Sequence, residues 1–350
     1  MQGTVLKNSS LWLAGLFAIC TLQAAHADIG GAGASFPAPV IEAWSKQFAL
    51  ESKIEVGYRS VGSAEGIRRV TAHGADFGVS DVPLTQAELA QDDLLQFPIV
   101  VGGIVPVVNI PGIDRHALKL TGTVLADIYL GKITNWNAEA IRALNPELSL
   151  PDLVIKVVHR ADGSGSSFVF TRYLSGASAD WQEHYGIASR MHWPAGSGAN
   201  GSSGVAQYVK DNAGAIGYVE YSYVEAYSLG DIRLRNKAGH FVAPDLASFR
   251  AALASANWSR PSFYEILTDA PGEQSWPIVG ASYVLIHKRQ QNASDGADAL
   301  KFFDWILHSG SVLAEHLRYV PLENRAIDAR VEASWKDIRD EHGSPVWKGR

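Results

Sequence analysis

The chain has 350 residues, 30 basic and 36 acidic side chains, and a single cysteine, Cys20. No basic run or arginine-rich face appears, which argues against nucleic acid as a partner, and one cysteine rules out an intramolecular disulfide framework. Stability must come from the apolar core, which a chain of this size can supply, and the length favours two domains over one.

The first segment reads as an export signal. Lys7 is the only charged residue before Asp28, and "LWLAGLFAICTL" is too short to span a bilayer comfortably. "AHA" at Ala25 to Ala27 supplies the small residues that a signal peptidase reads, so cleavage is expected after Ala27. That leaves 323 residues (350 minus 27), with 29 basic against 36 acidic groups and no cysteine. An uncleaved anchor is the alternative. Lipid attachment at Cys20 is disfavoured by the bulky Ile19 before it.

Along the mature chain, glycine and serine gather between apolar runs. "GAGASFPAPV" leads into "APVIEAWSKQF", where Val40, Ile41, Trp44 and Phe48 recur at helical spacing. Pro37 suits the first helical turn, so Ser35 and Phe36 present N–H groups at a helix start. "IEVGYRSVG" alternates as a strand and passes into "SAEGIRRV", with Ser63 expected as the helix cap. "DFGVSDVPL" sets Asp81 at a strand end, and "TQAE" at Thr85 to Glu88 is a capping box.

"FPIVVGGIVPVVNI" (Phe97 to Ile110) and "WPIVGASYVLIHK" (Trp276 to Lys288) are extended and β-branched. They read equally as paired crossings between domains or as two core strands. Between them, the strand-like "LVIKVV" (Leu153 to Val158) precedes "HRADGSGSSFVFTRYL". That stretch puts Arg160, Asp162, Ser164, Gly165 and Ser166 at another helix start. "GSGANGSSGV" (Gly196 to Val205) is a further glycine-rich helix start, and "LKFFDWIL" is an amphipathic helix. Strands alternating with helices imply an α/β fold.

The shared chemistry of these starts is anion binding. A helix N-terminus exposes unpaired N–H donors and partial positive charge, and a tetrahedral oxyanion needs donors from several directions. Each start alone is weak evidence, because serine caps are commonly structural. Competing chemistries lack their motifs. There is no G-x-x-x-x-G-K-[ST], no H-E-x-x-H or close histidine pair for a metal, and no G-x-S-x-G. His159 beside Arg160 is a candidate base for a serine nucleophile, but a packing histidine is the favoured reading.

"GAGASFPAPV", "VGSAEGI", "DFGVSDVPL", "FPIVVGGIVPVVNIPG", "LADIYLGKITNWN", "RADGSGSSFVFTRYL", "GAIGYVEYSY" and "LKFFDWIL" follow one another over nearly the whole mature chain. This series resembles the periplasmic phosphate-binding proteins of ABC-type phosphate transporters, the PstS family. The resemblance implies a class II periplasmic-binding fold, with two α/β lobes joined by two extended hinge crossings around a ligand cleft. Lobe I would comprise residues 28–103 and 275–350, and lobe II residues 104–274. It assigns phosphate contact to Ser35, Phe36, Ser63 and Asp81 from the first lobe, and to Arg160, Ser164, Gly165 and Ser166 from the second. Asp162 would hold Arg160 in place.

The implied partners are inorganic phosphate and the permease and ATPase subunits of the importer. A periplasmic monomer with no cofactor, metal or enzymatic activity is expected. A secreted phosphatase and an adhesion protein that kept the fold are the alternatives. Ala64 and Glu65 stand where the family usually has Ser-Gly. A carboxylate facing the site would repel an anion, so Glu65 is expected to point outward. The Gly196 to Val205 stretch receives no ligand role by analogy.

Overall fold

The computed structural model describes residues 28–322 and 324–349, so the expected cleavage position after Ala27 lies at the edge of, and its leader outside, the described residues. The chain opens as alternating β1 (Ile29–Gly33), α1 (Ala38–Ser52), β2 (Val56–Ser60), α2 (Ser63–Thr71), β3 (Phe77–Ser80) and α3 (Gln86–Gln91). Strands separated by crossover helices pair in parallel, here in the order β2-β1-β3.

Helix α1 buries the stripe its spacing predicts, Val40, Ile41, Trp44 and Phe48. Its start is shifted from expectation. Pro37 is the cap residue, and Pro39 occupies the first turn, where a missing N–H costs nothing. The start of α2 also differs. Gly62 takes the cap position with φ +89°, a left-handed conformation that glycine adopts without strain. Ser63 thereby becomes the first helical residue, and its hydroxyl is released from capping. At α3 the capping box forms as read, Glu88 N–H donating to Thr85 Oγ1 and Thr85 N–H to Glu88 Oε2.

The long strand β4 (Leu94–Val108), buried throughout, leads into β5 (Lys119–Leu120), α4 (Gly122–Tyr129), α5 (Glu139–Arg142), β6 (Lys156–Arg160), α6 (Gly165–Ala177) and α7 (Ala179–His184). After these come β7 (Ser197–Ala199), α8 (Gly201–Asp211), β8 (Ala215–Glu220), α9 (Tyr221–Tyr227), β9 (Gly230–Asp231), β10 (Arg233–Arg235), β11 (Phe241–Val242) and α10 (Leu246–Leu253). The chain closes with β12 (Val279–His287), α11 (Ala293–Ser309), α12 (Ser311–His316) and α13 (Arg325–Trp335). The strand read from "LVIKVV" begins only at Lys156. Leu153 O and Ile155 N–H are engaged by Trp136 and Thr134, which leaves Val154 exposed.

One nine-stranded sheet runs through both lobes in the order β2-β1-β3-β12-β4-β8-β6-β7, with β9 also on β4. Strand β4 is the pivot. Up to Gly103 it pairs antiparallel with β12, and from Ile104 it pairs antiparallel with β8. The second crossing lies beside the first, with Ile104 N–H donating to Ile278 O at 2.8 Å and Trp276 Nε1 to Ile104 O at 3.0 Å. The two similar segments are therefore both core strands and interlobe crossings. Before the second crossing the chain touches the first lobe. Gln96 Nε2 donates to Ser262 O at 2.8 Å, and Tyr283 Oη donates to Glu265 O at 2.9 Å.

Candidate functional site: an anion cleft between the lobes

The starts of α1, α2, α6 and α8 meet where the two lobes face each other. Ser63 Oγ, in the first lobe, accepts from Asp81 N–H at 3.3 Å and from Gly165 N–H across the cleft at 3.0 Å. Ser35 Oγ lies 2.9 Å from Ser202 Oγ and accepts from Ser202 N–H at 3.2 Å. Ala64 N–H donates to Gly163 O at 3.2 Å. These three junctions hold the cleft closed. Ser35, Phe36, Ser63, Asp81, Arg160, Ser164 and Ser166 are all buried around it.

Ser164 caps α6, accepting from Ser167 N–H at 3.2 Å, so its own hydroxyl hydrogen remains available to donate. Arg160 ends β6 as a buried cation. Its Nε donates to Asp162 Oδ1 at 2.7 Å and its Nη2 to Asp162 Oδ2, while Nη1 faces Ser202 Oγ at 3.4 Å. Burial alone would raise the Asp162 carboxyl. The Arg160 bonds outweigh it and hold Asp162 below the usual carboxylate range. Gly201 N–H, at the start of α8, donates to the same carboxylate at 3.1 Å.

Asp81 behaves in the opposite way. Burial pushes its carboxyl up to about 7, against the lowering effects of a Ser282 hydrogen bond and of Arg160. Oδ1 accepts from Ser282 Oγ at 2.7 Å. Oδ2 is buried with no hydrogen-bond partner among the described residues, as is Ser166 Oγ. A buried polar atom without a partner costs free energy unless a ligand completes it. The cleft therefore combines a fixed cation, hydroxyl and N–H donors, and one acceptor facing inward.

Glu65 points away from this centre. Its carboxylate accepts from Arg68 Nη2 at 2.6 Å and Arg69 Nε at 2.8 Å, bonds that hold it down to about 2. His159 packs face to face on Trp193 at 4.9 Å, with Nδ1 3.2 Å from Arg160 O. No serine hydroxyl is bonded to it among the described residues. Histidine and carboxylates do come together elsewhere. Ligand atoms of Asp304, His308 and Glu332 lie within 4.8 Å of one another on α11 and α13. Helical i,i+4 spacing and a helix–helix contact make this cluster, which no linear motif announced.

Several contributors had no role in the sequence reading. Ser202 and Gly201 belong to the glycine-rich start at Gly196 to Val205, which receives no ligand role by analogy; the helix-start signal is present in the sequence, but not the contact with Ser35 and Arg160. Ser282 was legible only as a lone hydroxyl in an apolar strand. Tyr58, Tyr223 and Tyr319 donate to the carbonyls of Ala34, Ser35 and Phe36 from distant parts of the chain.

Residues 21–309 match the family described as the PBP superfamily domain. A phosphate-binding protein PstS of Pasteurella multocida is 44% identical over 345 residues, covering 98% of this chain and all of that one. Its counterpart from Haemophilus influenzae is 44% identical over 318 residues, covering 90% and 95% of the two chains. Among solved structures, a phosphate-binding protein from Stenotrophomonas maltophilia superposes with a TM-score of 0.67 at 20% identity, over 87% of this chain and 93% of that one. A substrate-binding protein from Clostridium perfringens, solved with bound phosphate, gives 0.60 at 22% identity over 84% and 99%. The structural likeness supports the two-lobed fold and the sequence identity supplies the closer kinship: the chain belongs to the PBP superfamily and, within it, to the PstS family of phosphate-binding proteins.

Proposed function

We propose that this protein captures inorganic phosphate between its lobes and delivers it to the permease and ATPase subunits of an ABC-type importer. The observation that carries this reading is the unpartnered Asp81 Oδ2 in a cleft otherwise built from donors and the Arg160 cation. An ionised carboxylate only accepts hydrogen bonds, so it favours an oxyanion that still carries a proton. Phosphate near neutral pH does; sulfate does not. Ser35, Phe36 N–H, Ser63, Arg160, Ser164 and Ser166 supply the donors; Gly165 N–H and Asp81 N–H, both donating to Ser63 Oγ, leave the Ser63 hydroxyl hydrogen for the anion, and Asp162 fixes Arg160.

We assign residues 28–103 and 275–350 to the first lobe and 104–274 to the second, with 262–265 touching the first lobe from the connecting segment. The mature protein begins at Asp28 and works as a periplasmic monomer without catalytic activity. The curated relatives named above are called binding proteins, which supports that view. Titration with phosphate, followed by tryptophan fluorescence and with sulfate as competitor, tests the reading. Saturable binding with strong preference for phosphate is expected; comparable affinity for sulfate overturns the role of Asp81. Turnover of a chromogenic phosphoester would favour the phosphatase alternative instead.

A further inference from the structure

The turn Ala34-Ser35-Phe36 presents backbone N–H groups beside the Ser35 hydroxyl, and each of its three carbonyls accepts from a tyrosine hydroxyl; Ser35 O also accepts from Ala38 N–H, in the first turn of α1, at 3.4 Å. Tyr58 Oη, on β2, donates to Ala34 O at 2.8 Å. Tyr223 Oη, on α9, donates to Ser35 O at 2.8 Å. Tyr319 Oη, after α12, donates to Phe36 O at 2.6 Å. A planar trans peptide turns its C=O and the following N–H in opposite directions. Holding the Ala34 carbonyl therefore fixes the direction of the Ser35 N–H, and holding the Ser35 carbonyl fixes that of the Phe36 N–H.

The three tyrosines are not equivalent. Tyr58 and Tyr319 act from the lobe that carries the turn. Tyr223 acts from the opposite side of the cleft, because α9 follows β8 directly and packs on α8, on β8 and on β4. We propose that Tyr223 is a positioning residue that latches the Ser35 carbonyl when the lobes meet, adding a short bond to the long one from Ala38 so that closure fixes the aim of the Phe36 N–H at the bound anion. The bond requires both lobes, and opening the cleft breaks it. Neither composition nor spacing announces it, since Ser35 and Tyr223 stand 188 residues apart.

The latch rests on the phosphate-binding reading, and the test separates the two. Wild-type protein is titrated with inorganic phosphate first; failure there is failure of that reading. Tyr223→Phe then removes one hydroxyl and keeps the ring. A neutral hydrogen bond lost from the closed state only should raise Kd by about tenfold. The change should appear as faster phosphate release in stopped-flow measurements, with association unchanged. The melting midpoint of phosphate-free protein should stay where it is, because the open state lacks the bond. A rise in Kd below threefold overturns the latch, as does a loss carried by slower association. So does a phosphate-free variant that melts early or fails to fold, since the hydroxyl would then serve the fold and not closure.

Discussion

Asp81 and Glu220 are both buried carboxylates whose protons are held more tightly than usual, but their surroundings give them different tasks. Burial pushes Asp81 up to about 7 and leaves Oδ2 unpartnered in the cleft. As pH falls through that value Asp81 gains a proton and becomes a donor, which a fully ionised sulfate can accept. Sulfate affinity should therefore rise by about an order of magnitude between pH 8 and pH 6. Asp81→Asn should flatten that dependence, and calorimetric competition at several pH values measures both. Glu220 lies outside the ligand shell, pushed up to about 8 by burial against hydrogen bonds from Ser222. Its Oε2 accepts from Ser222 N–H at 2.9 Å and from Ser222 Oγ, while Tyr319 Oη donates to Phe36 O. A carboxyl raised on folding makes the native state bind more protons than the unfolded one between the two pKa values. Stability then falls as pH rises from about 5 to 8, by up to about 1.4 kcal/mol per unit for one such group. Glu220→Gln keeps a donor and cannot titrate, so denaturant midpoints across that range should show a shallower slope.

At the scale of elements, the start of α6 shows how a local sequence serves a distant contact. Gly165 is its first residue, and its N–H crosses the cleft to Ser63 Oγ. A Cβ there would lie 2.5 Å from Asp81 Cβ and 2.6 Å from Ser63 Oγ, closer than closed lobes allow. Gly165→Ala should leave the phosphate-free melting midpoint unchanged, because the collision exists only on closure. It should weaken phosphate binding by at least about a hundredfold in calorimetry, ~2.7 kcal/mol. Elements whose formation depends on neighbouring residues were legible in advance. The apolar stripe of α1 and the Thr85–Glu88 capping box needed only local spacing. The start of α2 was misplaced by one residue, because backbone conformation at Gly62 decided it and not the identity of Ser63. The strand from "LVIKVV" started late for a tertiary reason, since contacts from the 134–136 turn claim its first residues.

For the whole molecule, contacts from both lobes must converge for the proposed site to exist, which makes closure part of binding. Small-angle scattering should give a smaller radius of gyration with phosphate than without; an unchanged radius despite proven binding would mean that the free protein is already closed. The hinge illustrates the division between levels. Pattern alone left Phe97 to Ile110 between a crossing and a core strand, and it proved to be both, because β4 exchanges β12 for β8 at Gly103–Ile104. The sequence by itself determined the α/β class, the apolar stripe of α1, the amphipathic "LKFFDWIL" helix and the donors gathered at helix starts, because each follows from residue types a few positions apart. Only the tertiary structure decided that Ser202 sits on Ser35 and Arg160 and that Tyr223 reaches the Ser35 carbonyl. These contacts join residues far apart in the chain and leave no periodicity to read, whereas the pairing of Glu65 with Arg68 and Arg69 follows the i,i+3 and i,i+4 spacing of one helix.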